Sequence, residues 1–406
     1  MTRFTKLCGV AALALAPLAG AGAELAHDGL LTIDTHVDIP PTYMREARYD
    51  VGGDTALKVD LGKMERGGLD AAFFVIYVEQ GPLTAAGYAD AIAQAERKYA
   101  AIELMLARYP GRIRLATTPR QVREHHAGGL LSAMIGIENG YSLGRRLDLL
   151  DAVYARGARY LGLTHTGHNA ICTSSGARPE FGDAPAGDVG LSRFGRSVLQ
   201  RANALGIMLD VSHASDACVR DVLQATAAPV IASHSSAHAL VPHPRNINDA
   251  LLRGIAANRG VVQVVAYSGF LKLDPQREAA VAALQEAVAR QAGATEFDSD
   301  RHEELPAYRQ GLARIEREHP VATLDDYLDH IEHAVQVAGI EHVGLASDFD
   351  GGGGITGWLD ASETPNVTAG LRRRGFSDED IAALWGGNLL RVWSEVERVA
   401  RAERAQ

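Results

Sequence analysis

Cysteine is nearly absent from this chain, with only Cys8, Cys172 and Cys218 among 406 residues. That excludes a small domain stapled together by disulfides. A surplus of positive charge is absent too. The net charge is −10, which makes nucleic acid and anionic membrane surfaces poor partners and leaves small-molecule chemistry as the default. Fixed-period repeats and low-complexity linkers are missing, so the mature chain reads as one domain. Beyond the first segment no apolar run is long enough to span a bilayer. The charged C-terminus, "VERVARAERAQ", argues against a hydrophobic tail anchor.

What remains is an ordinary globular composition, 47% hydrophobic and 22% charged, in a chain long enough to bury a large core. The first segment, "MTRFTKLCGVAALALAPLAGAGA", has Arg3 and Lys6, then an apolar run, then Ala21-Gly22-Ala23. It reads as a secretory signal, residues 1–23, cleaved after Ala23, and implies a periplasmic or secreted protein, with an uncleaved anchor as the alternative, against which the shortness of the apolar run counts. Cleavage removes two basic residues and shifts the net charge from −10 to −12. Cys172 and Cys218 then remain, either paired in an oxidising compartment or free.

Short β-rich runs fall at residues 30–38, 71–79, 132–139, 159–165, 207–213, 229–235, 260–267 and 342–350. Helical patterns lie between them, at 85–108, 146–156, 192–205, 215–225 and 322–338. Near-continuous apolar strands alternating with helices indicate parallel strands covered on both faces. Eight of them predict an α/β (β/α)8 TIM-like barrel over residues 24–406, with an open doubly wound sheet as the alternative. Residues 271–320 read as a charged helical excursion, serving as a lid or a dimer contact.

In such a barrel, chemistry gathers where the strands end. The predicted strands end in His36 and Asp38, Glu138, His165, His213, His234, and Asp348 with Asp350. A single strand-end histidine is most often a hydrogen-bonded structural residue. Four histidines and several carboxylates on one rim point to a metal centre, and nitrogen with oxygen donors suits zinc best among common ions, with Mn²⁺, Co²⁺ and Fe²⁺ able to occupy the same set. The set is too large for one tetrahedral ion with an open position, so it predicts two ions bridged by a carboxylate. Glu138 is the natural bridge. Lys58, Lys63, Lys98 and Lys272 are the lysines left after the signal, and none closes a strand. By strand alternation Asp350 shares a face with Asp348, Asp34 reads as a residue that orients a ligand, and "GGGG" (351–354) reads as a flexible turn beside the site.

The segments "IDTHVDIP", "GIENGY", "RYLGLTHTGHNA", "DVSHAS", "IASHSSAHAL", "PRNIND", "VGLASDFDGG" and "LWGGNLLRVW", in this order, resemble the membrane (renal-type) dipeptidase family. These are zinc peptidases of the amidohydrolase superfamily, family M19, and the loop after His165 looks like that of the bacterial branch. The resemblance implies two Zn²⁺ per subunit, one held by His36, Asp38 and bridging Glu138, the other by Glu138, His213 and His234. It implies that His165 contacts the substrate carbonyl, Arg245 the substrate carboxylate, and that Asp348, in preference to its rival Asp350, manages protons. It further implies dipeptide substrates, including ones with a D-residue at the C-terminal position, and a homodimer. Hydrolysis of N-acyl amino acids or lactones at the same metal pair is the nearer alternative. A non-catalytic barrel that only binds is the remoter one.

Overall fold

The computed structural model describes residues 27–405, apart from Ala186, Asp188, Asp298, Glu303 and Glu304. The proposed signal segment lies outside the described residues. Among the described residues nine parallel strands form one sheet: β1 (Ile33–Val37), β2 (Ala71–Tyr77), β3 (Ile113–Leu115), β4 (Leu131–Glu138), β5 (Ala158–Gly162), β6 (Met208–Asp210), β7 (Ile231–Ala232), β8 (Val261–Val265) and β9 (Val343–Ala346). Eight follow the order β1-β2-β4-β5-β6-β7-β8-β9. The loop after β9 returns to β1, where the Asp38 N–H donates to the Phe349 carbonyl at 2.9 Å. A nearly closed eight-stranded barrel results. The short β3 pairs with residues 131–133 of β4, the part that β5, starting opposite Ile135, does not reach.

The strands read as continuous apolar runs because both faces are covered. Inside the barrel, Ile33, Phe73, Met134, Tyr160, Met208, Ile231 and Val261 share one cluster with Leu390 and Trp393 of the C-terminal helix Asn388–Arg404. Several of these are the first residues of their strands, so that helix plugs the amino-terminal end and leaves the carboxyl-terminal rim for chemistry. Several of the surrounding helices start on side-chain caps. Ser215, for example, accepts the Cys218 N–H to begin Asp216–Ala225, which removes one of the unpaired donors at that end. Among the described residues no helix is long and apolar enough to cross a membrane.

Strands β6 and β7 are shorter than the sequence suggests. The run 229–235 retains only Ile231–Ala232 as strand, and 207–213 only Met208–Asp210. Side chains have captured the backbone there: Asp210 Oδ1 accepts the N–H groups of Ser212 (3.0 Å) and Ser233 (2.8 Å), in competition with the ladder. Cys172 and Cys218 form a disulfide, with Cα atoms 6.0 Å apart, tying the loop after β5 to the helix after β6. The excursion after β8 contains the helices Pro275–Gln291, Ser299–His302 and Pro306–Glu318.

One buried group gives the fold an acid limit. His330 Nδ1 accepts the Ala237 N–H at 3.0 Å. Burial holds its imidazole down at about 4, against the opposing pull of the Leu271 carbonyl. The unfolded chain takes up this proton near the ordinary histidine value, about 6.5. Stability is therefore full above that pH, falls as pH drops, and levels off below the folded value. The full difference is worth ~3 kcal/mol. Denaturant unfolding of wild type and His330→Gln between pH 7 and 4 should show a loss smaller by about that amount in the variant.

Candidate metal centre

Glu138, the last residue of β4, divides its two carboxylate oxygens between two sets of imidazoles. Oε2 lies 3.3 Å from His36 Nε2. Oε1 lies 3.1 Å from His213 Nε2 and 3.5 Å from His234 Nε2. His36 sits inside β1, so its ring is fixed by the sheet, and its Nε2 is also 3.4 Å from Asp38 Oδ2 and 3.9 Å from Asp348 Oδ1. His165 approaches from the loop after β5, with Nε2 3.8 Å from Glu138 Oε1. Its ring meets Tyr77 edge-on at 4.7 Å. His213 Nε2 and His234 Nε2 face each other at 2.9 Å. The seven side chains come from six strand ends and meet on one rim.

Two of these residues adopt backbone that side chains rarely take. His213 and Asp348 have φ of 64° and 59°, a left-handed turn that costs free energy and clusters at functional sites. Neighbouring bonds hold them there. The Ser175 N–H donates to the His213 carbonyl at 2.8 Å, and the Gly353 N–H to the Asp348 carbonyl at 2.7 Å. The glycine run 351–354 forms a hydrogen-bonded turn, with the Gly351 N–H also donating to the Asp348 carbonyl at 3.1 Å and the Gly354 N–H to the Ala266 carbonyl at 3.0 Å. A methyl group on Gly351 would lie 2.2 Å from Asp38 Oδ2 and 2.7 Å from Asp348 Oδ1, so glycine there lets the chain pass directly over both carboxylates.

The electrostatics favour a cation. Burial alone would raise Glu138, yet His36, His213 and His165 outweigh it and hold the carboxyl well below its usual range. Burial lowers His36, but Glu138 and Asp38 pull it well above the ordinary histidine value. The space between these carboxylates thus demands positive charge. On the other side, burial, followed by the nearby positive charges, holds His213 and His234 well below that value, leaving neutral rings that offer lone pairs. Burial, with Asp38 and Glu138, pushes Asp348 up to about 8 against the opposing effect of His36. His36 Nε2 is enclosed and has no hydrogen-bond partner. His36, Asp38 and Glu138 form one possible ligand group, with donor atoms within 4.8 Å of one another. Two more such groups are Glu138 with His165 and His213, and His36 with His234 and Asp348. This chemistry fits metal ions.

Arg245 reaches the same rim instead of lying on the surface. It donates to the His234 carbonyl at 3.0 Å and to Ser235 Oγ at 3.4 Å. Its Nε is enclosed and unpartnered, and burial lowers the guanidinium to about 10. Asp350 turns away from the cluster. Its carboxylate accepts the Lys58 N–H at 2.8 Å and the Val59 N–H at 3.2 Å. Strand alternation from Asp348 fails because β9 stops at Ala346 and both aspartates take positive φ. Asp34 accepts the N–H groups of His36 and Ser347, each at 3.1 Å, so it orients backbone rather than an imidazole. His168 is a loop tether, with Nδ1 accepting the Ser174 N–H at 3.1 Å.

Sequence reasoning passed over Tyr160, Asp210 and Ser233, which lie directly behind the histidines. Tyr160 Oη is 3.1 Å from His36 Nδ1, and Ser233 Oγ is 2.8 Å from His234 Nδ1. The repeated Ser-His pair in "DVSH" and "IASH" was the available signal for Ser233. Tyr160 had none, since it reads as an ordinary core aromatic.

The family model described as membrane dipeptidase (peptidase family M19) matches residues 23–406. A dipeptidase of Aspergillus oryzae, aclJ, is 31% identical over 351 residues, 85% of this chain and 71% of its own length. The solved structure of the probable dipeptidase PvdM from Pseudomonas aeruginosa is 33% identical, with a TM-score of 0.81, covering 92% of this chain and 97% of that one. A metallo peptidase from Rhodobacter sphaeroides, solved with a phosphinate mimic of the dipeptide L-Ala-D-Ala, is 25% identical with a TM-score of 0.71. That alignment covers 90% of this chain and 99% of the other. The chain belongs to the membrane dipeptidase family, peptidase family M19, and is a metallodipeptidase of that family.

Proposed function

We propose that this metallodipeptidase is dinuclear and zinc-dependent, and that it hydrolyses dipeptides bearing a free C-terminal carboxylate. The observation that carries the reading is the division of the Glu138 oxygens, Oε2 toward His36 at 3.3 Å and Oε1 toward His213 and His234 at 3.1 and 3.5 Å. One carboxylate that faces two donor sets is suited to bridge two ions. His36 and Asp38 would complete one site, and His213 and His234 the other. Nitrogen and oxygen donors without sulfur suit zinc. When bound, such a pair lowers the pKa of a shared water from ~15.7 toward ~7 and polarises a carbonyl.

The protein's own groups do the rest. Arg245 has guanidinium donors left over after its bonds to His234 and Ser235, and a planar fork of this kind matches a carboxylate. It anchors the C-terminal end and restricts cleavage to the last bond of very short substrates. His165, held against Tyr77, donates to the carbonyl oxygen as negative charge develops there. Bound cations would oppose the burial and neighbouring carboxylates that raise Asp348 and keep it ionised, so that it takes the proton from the attacking water and returns it to the leaving amine. The ligand of the Rhodobacter sphaeroides relative, a mimic of L-Ala-D-Ala, supports acceptance of a D-residue at the C-terminal position. The Cys172–Cys218 disulfide supports export to an oxidising compartment, and the same reading takes the protein as a homodimer.

The test compares a free dipeptide with its C-terminal amide and with its N-acylated form. Zinc-loaded protein should cleave the free dipeptide with kcat/KM at least ~10²-fold above the amide, because the amide leaves Arg245 unpaired. A chelator should abolish the activity and zinc should restore it. Equal turnover of the N-acylated form would instead favour the acyl amino acid reading.

A further inference from the structure

We propose that Ser233 and Asp210 act together as positioning residues for His234, fixing which of its ring nitrogens carries the proton and so setting the affinity of one ion site and not the other. The inference rests on the dinuclear reading above. Ser233 Oγ lies 2.6 Å from Asp210 Oδ2 and 2.8 Å from His234 Nδ1. A serine hydroxyl has one hydrogen to give. Asp210 is already oriented as an acceptor, because its Oδ1 takes the backbone N–H groups of Ser212 and Ser233 at 3.0 and 2.8 Å. Its Oδ2 therefore takes the Ser233 hydrogen. The serine oxygen is left to accept from His234, which requires the proton on Nδ1. Nε2 then presents its lone pair toward Glu138 Oε1, 3.5 Å away.

The same carboxylate also sets spacing. By gripping the N–H groups of Ser212 and Ser233, Asp210 ties together the two chain segments that lead into His213 and His234. All the members are buried, so water cannot replace a lost partner without cost. His36 is backed differently. The Tyr160 hydroxyl is 3.3 Å from the Thr35 carbonyl, which only accepts, and 3.1 Å from His36 Nδ1. Tyr160, itself within reach of the Ser233 side chain, is thus the group bonded directly to His36, and Ser233 the group bonded directly to His234.

Two variants separate this account from a merely structural role. Ser233→Ala removes the acceptor. Asp210→Asn keeps size and shape, and its amide oxygen stays with the two backbone N–H groups. Its NH₂ then points at Ser233 Oγ and donates, turning the serine hydrogen toward His234 and favouring the wrong tautomer. Zinc affinity is read by stepwise competition with a chromophoric chelator, on full-length protein, alongside the melting temperature of the metal-free form. Wild type should bind two ions. Each variant should keep one at wild-type affinity and bind the other about 10- to 100-fold more weakly. With cobalt in place of zinc, half of the visible absorption should be lost first. Unchanged affinity for both ions in both variants overturns the inference alone. So does equal weakening of both ions together with a lower metal-free melting temperature. Fewer than two ions in wild type overturns the dinuclear reading, and the inference with it.

Discussion

Glu138→Gln will lower the zinc content from two ions to at most one and cut kcat/KM for a dipeptide by at least about 10³-fold. The argument follows from how the two oxygens are used. Oε2 serves the His36 and Asp38 side and Oε1 serves His213 and His234. A carboxamide keeps the volume but turns one of those oxygens into an NH₂ donor. Whichever way it sits, one donor set faces N–H groups instead of a lone pair, and the negative charge that the proposed pair of cations would share is gone. Metal analysis after dialysis, with kinetics on the same sample, reads both effects. Two ions at wild-type affinity in this variant would show that Glu138 does not bridge.

Asp348→Asn should leave KM within a few-fold of wild type and lower kcat by about 10²–10⁴-fold, the range for loss of a general acid–base group. Asparagine keeps the shape but neither takes up nor releases a proton at working pH. Asp348 lies beside His36, 3.9 Å from its Nε2, while Asp350 spends its oxygens on the Lys58 and Val59 amides. Asp350→Asn should therefore retain most of the activity and instead lose stability through its weakened backbone bonds. If Asp350→Asn were the more damaging to kcat, the proton-transfer role would belong elsewhere on the rim. Steady-state kinetics over a pH series on both variants decides it, since only loss of the proton carrier should remove a limb from the kcat profile.

The barrel was legible because each strand is a compact apolar run between helical patterns, and parallel burial produces that signature. The cluster at the rim was legible for a related reason: polar side chains that interrupt apolar strands at their ends stand out. What the chain concealed was local. Asp210 and Ser233 read as strand residues, and their capture of backbone N–H groups is what shortens β6 and β7. The alternation argument that paired Asp348 with Asp350 assumes extended chain, and the left-handed turns at both positions cancel it. The strand β3 was missed because three residues, Ile113–Leu115, are too few to show a period. Arg245 between Pro244 and Asn246 has the composition of a surface loop. Only the packing of its guanidinium beneath His234 and Ser235 brings it to the site.

Anomalous X-ray diffraction at the zinc edge, from crystals of zinc-loaded protein, tests the central claim most directly. The account predicts two peaks, one on each side of the Glu138 carboxylate, the first contacted by His36 and Asp38 and the second by His213 and His234. A single peak, or peaks that leave Glu138 unshared, would contradict it.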